Sequence, residues 1–478
     1  MIVAAGVAAA YVPASMSLAD LQQKIDAAKG TLAPGRYRIV TRVTSPEGPH
    51  VVVTRFSGDD YLTQSGTGPF DTSWGSFQGH PWYQDENGMI VFERPDSADT
   101  GDTGEGAPVL LGMTDTQPAE YVLRRQAGVD TVLDYYNAAT FLLDKHEVRQ
   151  RNGVDKVTAY ADYHDVFGEK RAFTTSYSDG NSANARVRTI VHFERDDAQS
   201  SLEPPQPRML YSLKPGENIT LKAEFTDSGI IVPVRLQDQT LDFLLDTGSS
   251  ALNIDAGALS RLGLHSQLAY RQRVAGDIDV GHSLVPSMSV GPLHMENVAF
   301  DVIPDRSQRV VGLLGCDLLV PAIAALDFHS KTVTLLSPDT FDAKALGAVP
   351  VRADYDGCVP HITASFNGHT GRFVLDTGAD ITVLNPPFAA SISGKQLLSA
   401  LYEPEMGGIG GSVDSRFYHV PDVVVGPVEF RVASVAVPSE DGWLMEPGED
   451  GIIGRDVLSA FTLYFDYANN VVYFKPNS

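Results

Sequence analysis

The chain is 478 residues long, 43% hydrophobic and 20% charged, which is enough for two or three globular domains and too apolar for wholesale disorder. A formal charge of -24 excludes nucleic acid and anionic membrane surfaces as partners, because a phosphate backbone demands basic patches. The two cysteines, Cys316 and Cys358, are too few for a disulfide scaffold and stand in no Cys/His pattern that would hold a metal, so no cofactor is implied.

In chain order, residues 1–16 are apolar and signal-like, with Val12-Pro13-Ala14 as a small-residue cleavage site, but they lack a charged leader. A short, frayed, alanine-rich start is the alternative. No stretch reaches 18 apolar residues, so no integral membrane segment is expected. Leu18–Lys29 reads as a helix: Leu18, Leu21, Ile25 and Ala28 share a face, Ser17 can cap it and Gly30 can end it. Tyr37–Val43 and His50–Phe56 are rich in β-formers, with turn signals at Pro46-Glu47-Gly48 and Asn87-Gly88. A polar loop covers 95–107, and a second short helix is expected within Gly128–Tyr136. Residues 17–200 are thus read as a β-rich N-terminal domain. The prolines of Ser201–Pro207 mark a linker over 201–210. The cysteines are read as small buried hydrophobes, with one bridge between them as the alternative.

The rest of the chain contains an internal repeat, which divides it into lobes at 211–345 and 346–478. Phe243-Leu244-Leu245 leads into Asp246-Thr247-Gly248-Ser249, and Phe373-Val374-Leu375 leads into Asp376-Thr377-Gly378-Ala379. Downstream stand Leu313-Leu314-Gly315 and Ile452-Ile453-Gly454. Gly315 precedes Asp327-Phe328 by twelve positions, and Gly454 precedes Asp466-Tyr467 by the same twelve. A hairpin precedes each Asp, turning at Gln237-Asp238 in one copy and Asn367-Gly368 in the other. Two further Asp-Thr-Gly triplets, at 99–101 and 102–104, follow no apolar strand and are read as loop.

The repeat suits a site where two carboxylates must meet. An apolar strand carries each Asp to a tight turn, the glycines leave room for a facing loop, and the Thr247 and Thr377 hydroxyls can bond the opposite lobe's backbone. Two carboxylates held close share a proton, so one is base and the other acid toward a water attacking a peptide carbonyl. Ser249, aimed at its own lobe's carboxylate, would favour charge on Asp246 and the proton on Asp376.

This repeat resembles the pepsin/retropepsin family of aspartic peptidases. Phe373–Leu384 is similar to the active-site segment of retroviral proteases, and Ile452–Leu458 to their glycine strand and C-terminal helix. The resemblance implies a mainly β fold: a bilobal retropepsin/pepsin-like acid-protease barrel behind the separate N-terminal domain. It implies Asp246 and Asp376 as catalytic, and Thr247, Gly248, Ser249, Thr377, Gly378 and Ala379 as their support. It also implies an endopeptidase acting on peptide or protein, a monomer whose lobes form an intramolecular pseudo-dimer. Flap hairpins are expected at Gly276-Asp277 and at Gly408-Ile409-Gly410, where glycines suit mobile tips. Asp317 and Asp456 are read as helix caps, and Asp380 as an ion-pair partner by analogy with the retroviral segment. His282, His329 and His361 are read as surface or strand residues.

Trp74, Trp82-Tyr83 and Tyr160–Lys170 give the N-terminal block a pattern similar to LolA-type periplasmic lipoprotein-carrier domains, in which a half-open barrel wraps a helix. Export, to the periplasm or the extracellular space, is expected from the signal-like start of the chain. A packed β-domain without ligand, or a pro-region covering the cleft, are the alternatives. The rival function is a non-catalytic protein that binds peptides or lipoproteins with peptidase-like lobes.

Overall fold

The computed structural model describes residues 11–477 apart from 46–47, 67–69, 93–105, 128–129, 150–154, 181–184, 197, 199, 274–276, 306–308, 395, 398–404, 409 and 440–448. Both isolated Asp-Thr-Gly triplets lie outside the described residues. The chain folds as two compact units.

In the first unit, Leu18–Lys29 is helical from end to end as the pattern predicts. The Ser17 hydroxyl accepts the N–H of Asp20 at 3.2 Å, and Gly30 ends the helix at φ +70°. Leu21 and Ile25 are buried against Tyr121 and Leu123 of the sheet. Ten antiparallel strands among the described residues pair in the order 60–66, 48–57, 37–45, 186–195, 169–178, 155–166, 143–149, 130–137, 120–127 and 109–113. Asp130–Asn137 is therefore a strand, not the helix expected within Gly128–Tyr136. Val132, Leu133, Asp134 and Tyr135 are all buried, so alternation is erased, while the β-formers Thr131, Val132, Tyr135 and Tyr136 set the type.

The second unit comprises 204–478 together with 68–74 and 80–97, two stretches that sequence reading placed in the N-terminal domain. Each lobe opens with a hairpin. Gly229–Leu236 and Gln239–Leu245 turn at Gln237 (φ +54°), and Val359–Phe366 and His369–Leu375 turn at Asn367-Gly368 (φ +48° and +80°). The second is the Asn-Gly pairing that a two-residue hairpin favours. These hairpins belong to an eight-stranded sheet in the first lobe and a nine-stranded sheet in the second. A six-stranded sheet joins the lobes, with Ile323–Asp327 antiparallel to Phe461–Asp466. One continuous core runs from Met89 through Phe243 and Leu318 to Phe373 and Phe474. No helix is long and apolar enough to cross a membrane among the described residues.

Candidate active site

Each Asp-Thr-Gly turn is delivered by a strand whose last residues are anchored in the core. Phe243, Leu245, Phe373 and Leu375 are fully buried. Leu244-Leu245 runs parallel to Leu313-Leu314, and Phe373–Leu375 runs parallel to Gly451–Ile453. The N–H of Asp246 donates to Leu314 O at 3.0 Å and that of Asp376 to Ile453 O at 3.1 Å. This is why the apolar-apolar-Gly segments recur after each Asp: they are the strands that fix its backbone. Gly315 and Gly454 then pass against Ser249, Ala251 and Ile381 too closely for any side chain.

The two turns grip one another. Thr247 Oγ1 donates to Leu375 O at 2.7 Å and accepts the N–H of Thr377 at 3.0 Å. Thr377 Oγ1 donates to Leu245 O at 2.9 Å and accepts the N–H of Thr247 at 3.1 Å. The glycines then let the carboxyls meet. A Cβ on Gly248 would lie 2.6 Å from Cγ of Asp376, and one on Gly378 would lie 2.6 Å from Cγ of Asp246. Gly248 N–H donates to Asp246 Oδ1 at 2.9 Å; Gly378 and Ala379 donate theirs to Asp376 Oδ1 at 2.7 and 3.2 Å.

Asp376 and Asp246 are within hydrogen-bonding reach, and burial pushes Asp376 above the ordinary carboxylate range. The hydrogen bonds from Asp246, Gly378 and Ala379 and the charge of Arg455 pull the other way without cancelling the desolvation. Ser249 does not act as expected. Its hydroxyl donates to Ala251 O at 2.8 Å and accepts from Asn253 Nδ2 at 2.9 Å, so it shapes the turn rather than bonding its lobe's carboxylate. Burial, not Ser249, raises Asp376.

Behind the turns, the lobes use different chemistry at equivalent places. Arg455, buried after the second glycine strand, donates from Nη1 to Thr377 O at 2.9 Å and from Nη2 to Asp227 O at 2.7 Å. It also pairs with Asp380. The matching residue after the first glycine strand is Cys316, and it is bonded to Cys358 as a disulfide. The cysteines are therefore bridged rather than separate buried hydrophobes. Their 42-residue separation carried no pairing signal in a chain without other cysteines. Asp317 and Asp456 do not cap helices, since Gly315 and Gly454 hold the cap positions. Asp456 Oδ1 accepts from Thr382 Oγ1 at 2.8 Å, and Asp317 Oδ2 accepts the N–H of Leu252 at 3.2 Å. Each carboxylate ties its helix to the loop that follows its own Asp-Thr-Gly.

Of the flap positions, Gly276 and Ile409 lie outside the described residues. Asp277 begins the strand Asp277–Val290, its backbone in register with Arg273 of the neighbouring strand. Gly408 pairs with Gly411 at a hairpin tip whose turn includes Gly410. His361 is buried on its strand with Nε2 2.6 Å from Glu449, and His282 sits 2.9 Å from Asp301. His329 is exposed. Sequence reading missed Asp85 and Asn87, which meet the first lobe at Asp317 and Ala299. The turn signal Asn87-Gly88 marked their loop but not their partners.

Two lobes that each supply an Asp-Thr-Gly turn, locked by reciprocal threonines, define an aspartyl-protease-like unit. The model of the aspartyl protease family matches twice, at residues 232–318 and 362–457, once in each lobe. No curated protein matches the sequence. Among solved structures, a LolA superfamily protein from Nitrosomonas europaea is 15% identical, covering 38% of this chain and 95% of its own, with a TM-score of 0.31. A putative outer membrane lipoprotein-sorting protein domain from Vibrio parahaemolyticus is 10% identical over 37% of this chain and 92% of its own, TM-score 0.29. A DUF1329 family protein from Desulfovibrio piger is 10% identical over 38% and 92%, TM-score 0.29.

Proposed function

We propose that the chain is an aspartic endopeptidase in which Asp246 and Asp376 act as one catalytic pair. The observation that carries this is the reciprocal threonine grip, which sets each turn's glycine directly against the opposite lobe's carboxyl. The pair holds one proton. Its ionised member takes a proton from a water as the water oxygen bonds to the peptide carbonyl carbon, while the protonated member gives its proton to the carbonyl oxygen. The resulting tetrahedral diol collapses with a proton passed to the leaving amine, which breaks the C–N bond and restores the shared proton. The raised Asp376 fits the protonated role. The hairpin tip at Gly408–Gly411 is assigned to a flap over bound peptide, together with the hairpin of Gln267–Arg273 and Asp277–Val290. The working state is a monomer, because one chain holds both halves of the pair.

The Cys316–Cys358 bridge supports export to an oxidising compartment, periplasmic or extracellular. The test is digestion of unfolded casein across pH by wild type, Asp246→Asn and Asp376→Asn. Loss of roughly 10²–10⁴-fold in each variant is expected for removal of a general acid or base. Equal turnover by all three would leave the non-catalytic binding reading in its place.

A further inference from the structure

The two lobes differ at one point of support for their catalytic turns. In the second lobe, Thr382 stands six residues after Asp376; its hydroxyl donates to Asp456 Oδ1 at 2.8 Å and accepts the N–H of Gly454 at 3.2 Å. The equivalent residue of the first lobe is Leu252, which has no hydroxyl. Its N–H bonds Asp317 Oδ2, but Asp317 Oδ1 is buried with no hydrogen-bond partner of normal geometry. Across from Asp317 lies the carboxyl of Asp85, from the hairpin His80–Gln84 and Ile90–Phe92. The Asn87 side chain also bonds Asp317, and a proton held between the two carboxyls removes the repulsion between them.

That hairpin is built into the lobe unit, not laid on it. Asn87 holds both backbone polar groups of one residue, with Nδ2 donating to Ala299 O at 3.1 Å and Oδ1 accepting the N–H of Ala299 at 2.8 Å. Met89 is buried in the shared core. Asp85 Oδ1 accepts the N–H of Met89 at 2.7 Å, and Arg208 N–H donates to Gly88 O at 2.7 Å.

We propose that Asp85, held in place by Asn87, is a positioning residue for the first lobe's catalytic turn, doing through Asp317 what Thr382 does through Asp456. The hairpin 80–92 is then a permanent part of the catalytic unit, not a segment shed on activation. This rests on the peptidase reading for its activity test alone. The groups facing the pair are Glu86 beside Asp85, His282 and Asp301 beside Glu86, and Arg208 against Gly88. Burial raises both Asp85 and Asp317, so the protonated pair is favoured when docked and the support weakens as pH rises through their folded values.

The experiment compares full-length wild type, Asp85→Ala and Asp85→Asn by casein turnover against pH and by hydrogen exchange of residues 246–253. Asp85→Ala should lower kcat about ten- to a hundredfold with KM nearly unchanged, as expected for a misplaced turn, and should speed exchange there. Asp85→Asn, whose amide donates to Asp317 without needing a shared proton, should keep kcat at acid pH and hold activity to higher pH than wild type. Wild-type kcat, pH profile and exchange in Asp85→Ala would overturn the proposal. If that variant does not fold, an unshifted profile in Asp85→Asn overturns it equally. A wild type that cuts nothing, with faster exchange in Asp85→Ala, would sink the peptidase reading and leave the positioning role standing.

Discussion

Thr247 and Thr377 each accept the other's N–H and donate to the strand behind the other's aspartate, so four buried hydrogen bonds cross between the lobes through two hydroxyls. Replacing Thr377 by the isosteric Val keeps the packing and leaves the N–H of Thr247 and the carbonyl of Leu245 unpaired. Two orphaned buried groups should cost about 2 kcal/mol or more. Serine keeps the hydroxyl and should recover most of that loss. Urea unfolding of Thr377→Val and Thr377→Ser decides it: equal midpoints for the two would mean the hydroxyl contributes nothing.

Asp376 is one contributor to the pH dependence of stability. Its folded-state value is raised, mainly by burial, so the folded chain keeps a proton that the unfolded chain releases near pH 4. The group's contribution is full below the unfolded value and is lost as pH rises through the folded one. Asp376→Asn removes the ionisation, so this variant should melt higher than wild type at neutral pH, with the gap closing toward pH 4. Its casein turnover should be lower than wild type by roughly 10²–10⁴-fold at every pH. A gap that widened on acidification would contradict the sign of the shift.

The paired Asp-Thr-Gly frame was readable because each part is local: an apolar strand, three turn residues, and a glycine strand at matched spacing from an acidic-aromatic pair. The Leu18–Lys29 helix was readable for the same reason, since its cap, face and stop all lie within fourteen residues. The strand at Asp130–Asn137 misled because both of its faces are buried, so the periodicity that separates strand from helix is missing. The attachment of residues 80–97 to the lobes was invisible for a different reason. Asn87 meets Ala299 at a separation of 212 residues, and nothing near Asn87 distinguishes a docked turn from a free one. The Cys316–Cys358 bridge is likewise a tertiary fact without a local pattern.

That bridge has a counterpart in the other lobe. Arg455 reaches the turn between Glu224–Thr226 and Gly229–Leu236 at Asp227 O, and Cys316 reaches the equivalent turn of the second lobe, between Asp354–Asp356 and Val359–Phe366, where it bonds Cys358 and lies 3.9 Å from Gly357 O. A covalent tie stands in one lobe where hydrogen bonds stand in the other. By loop length, its loss should cost about 4 kcal/mol through the freedom regained by the unfolded chain. Cys316→Ser with Cys358→Ser, compared with wild type under non-reducing denaturation, measures this. Two free thiols per unfolded wild-type chain would remove its basis.

Arg455 separates two contributions that are easily confused. Its partner Asp380 is 69% exposed, so the ion pair itself should be worth about 0–1 kcal/mol. The carbonyls of Thr377 and Asp227 are different, because Arg455 supplies donors to both from one rigid fork in a site where its own side chain is 9% exposed. Lysine carries the same charge on a single head and cannot serve both acceptors. Asp380→Asn should therefore cost less than about 1 kcal/mol, while Arg455→Lys should cost about 3 kcal/mol and loosen the Thr377 turn. Chemical unfolding of both variants ranks the effects. If Asp380→Asn proved the more damaging, the charge pair and not the carbonyl fork would be what holds the second turn.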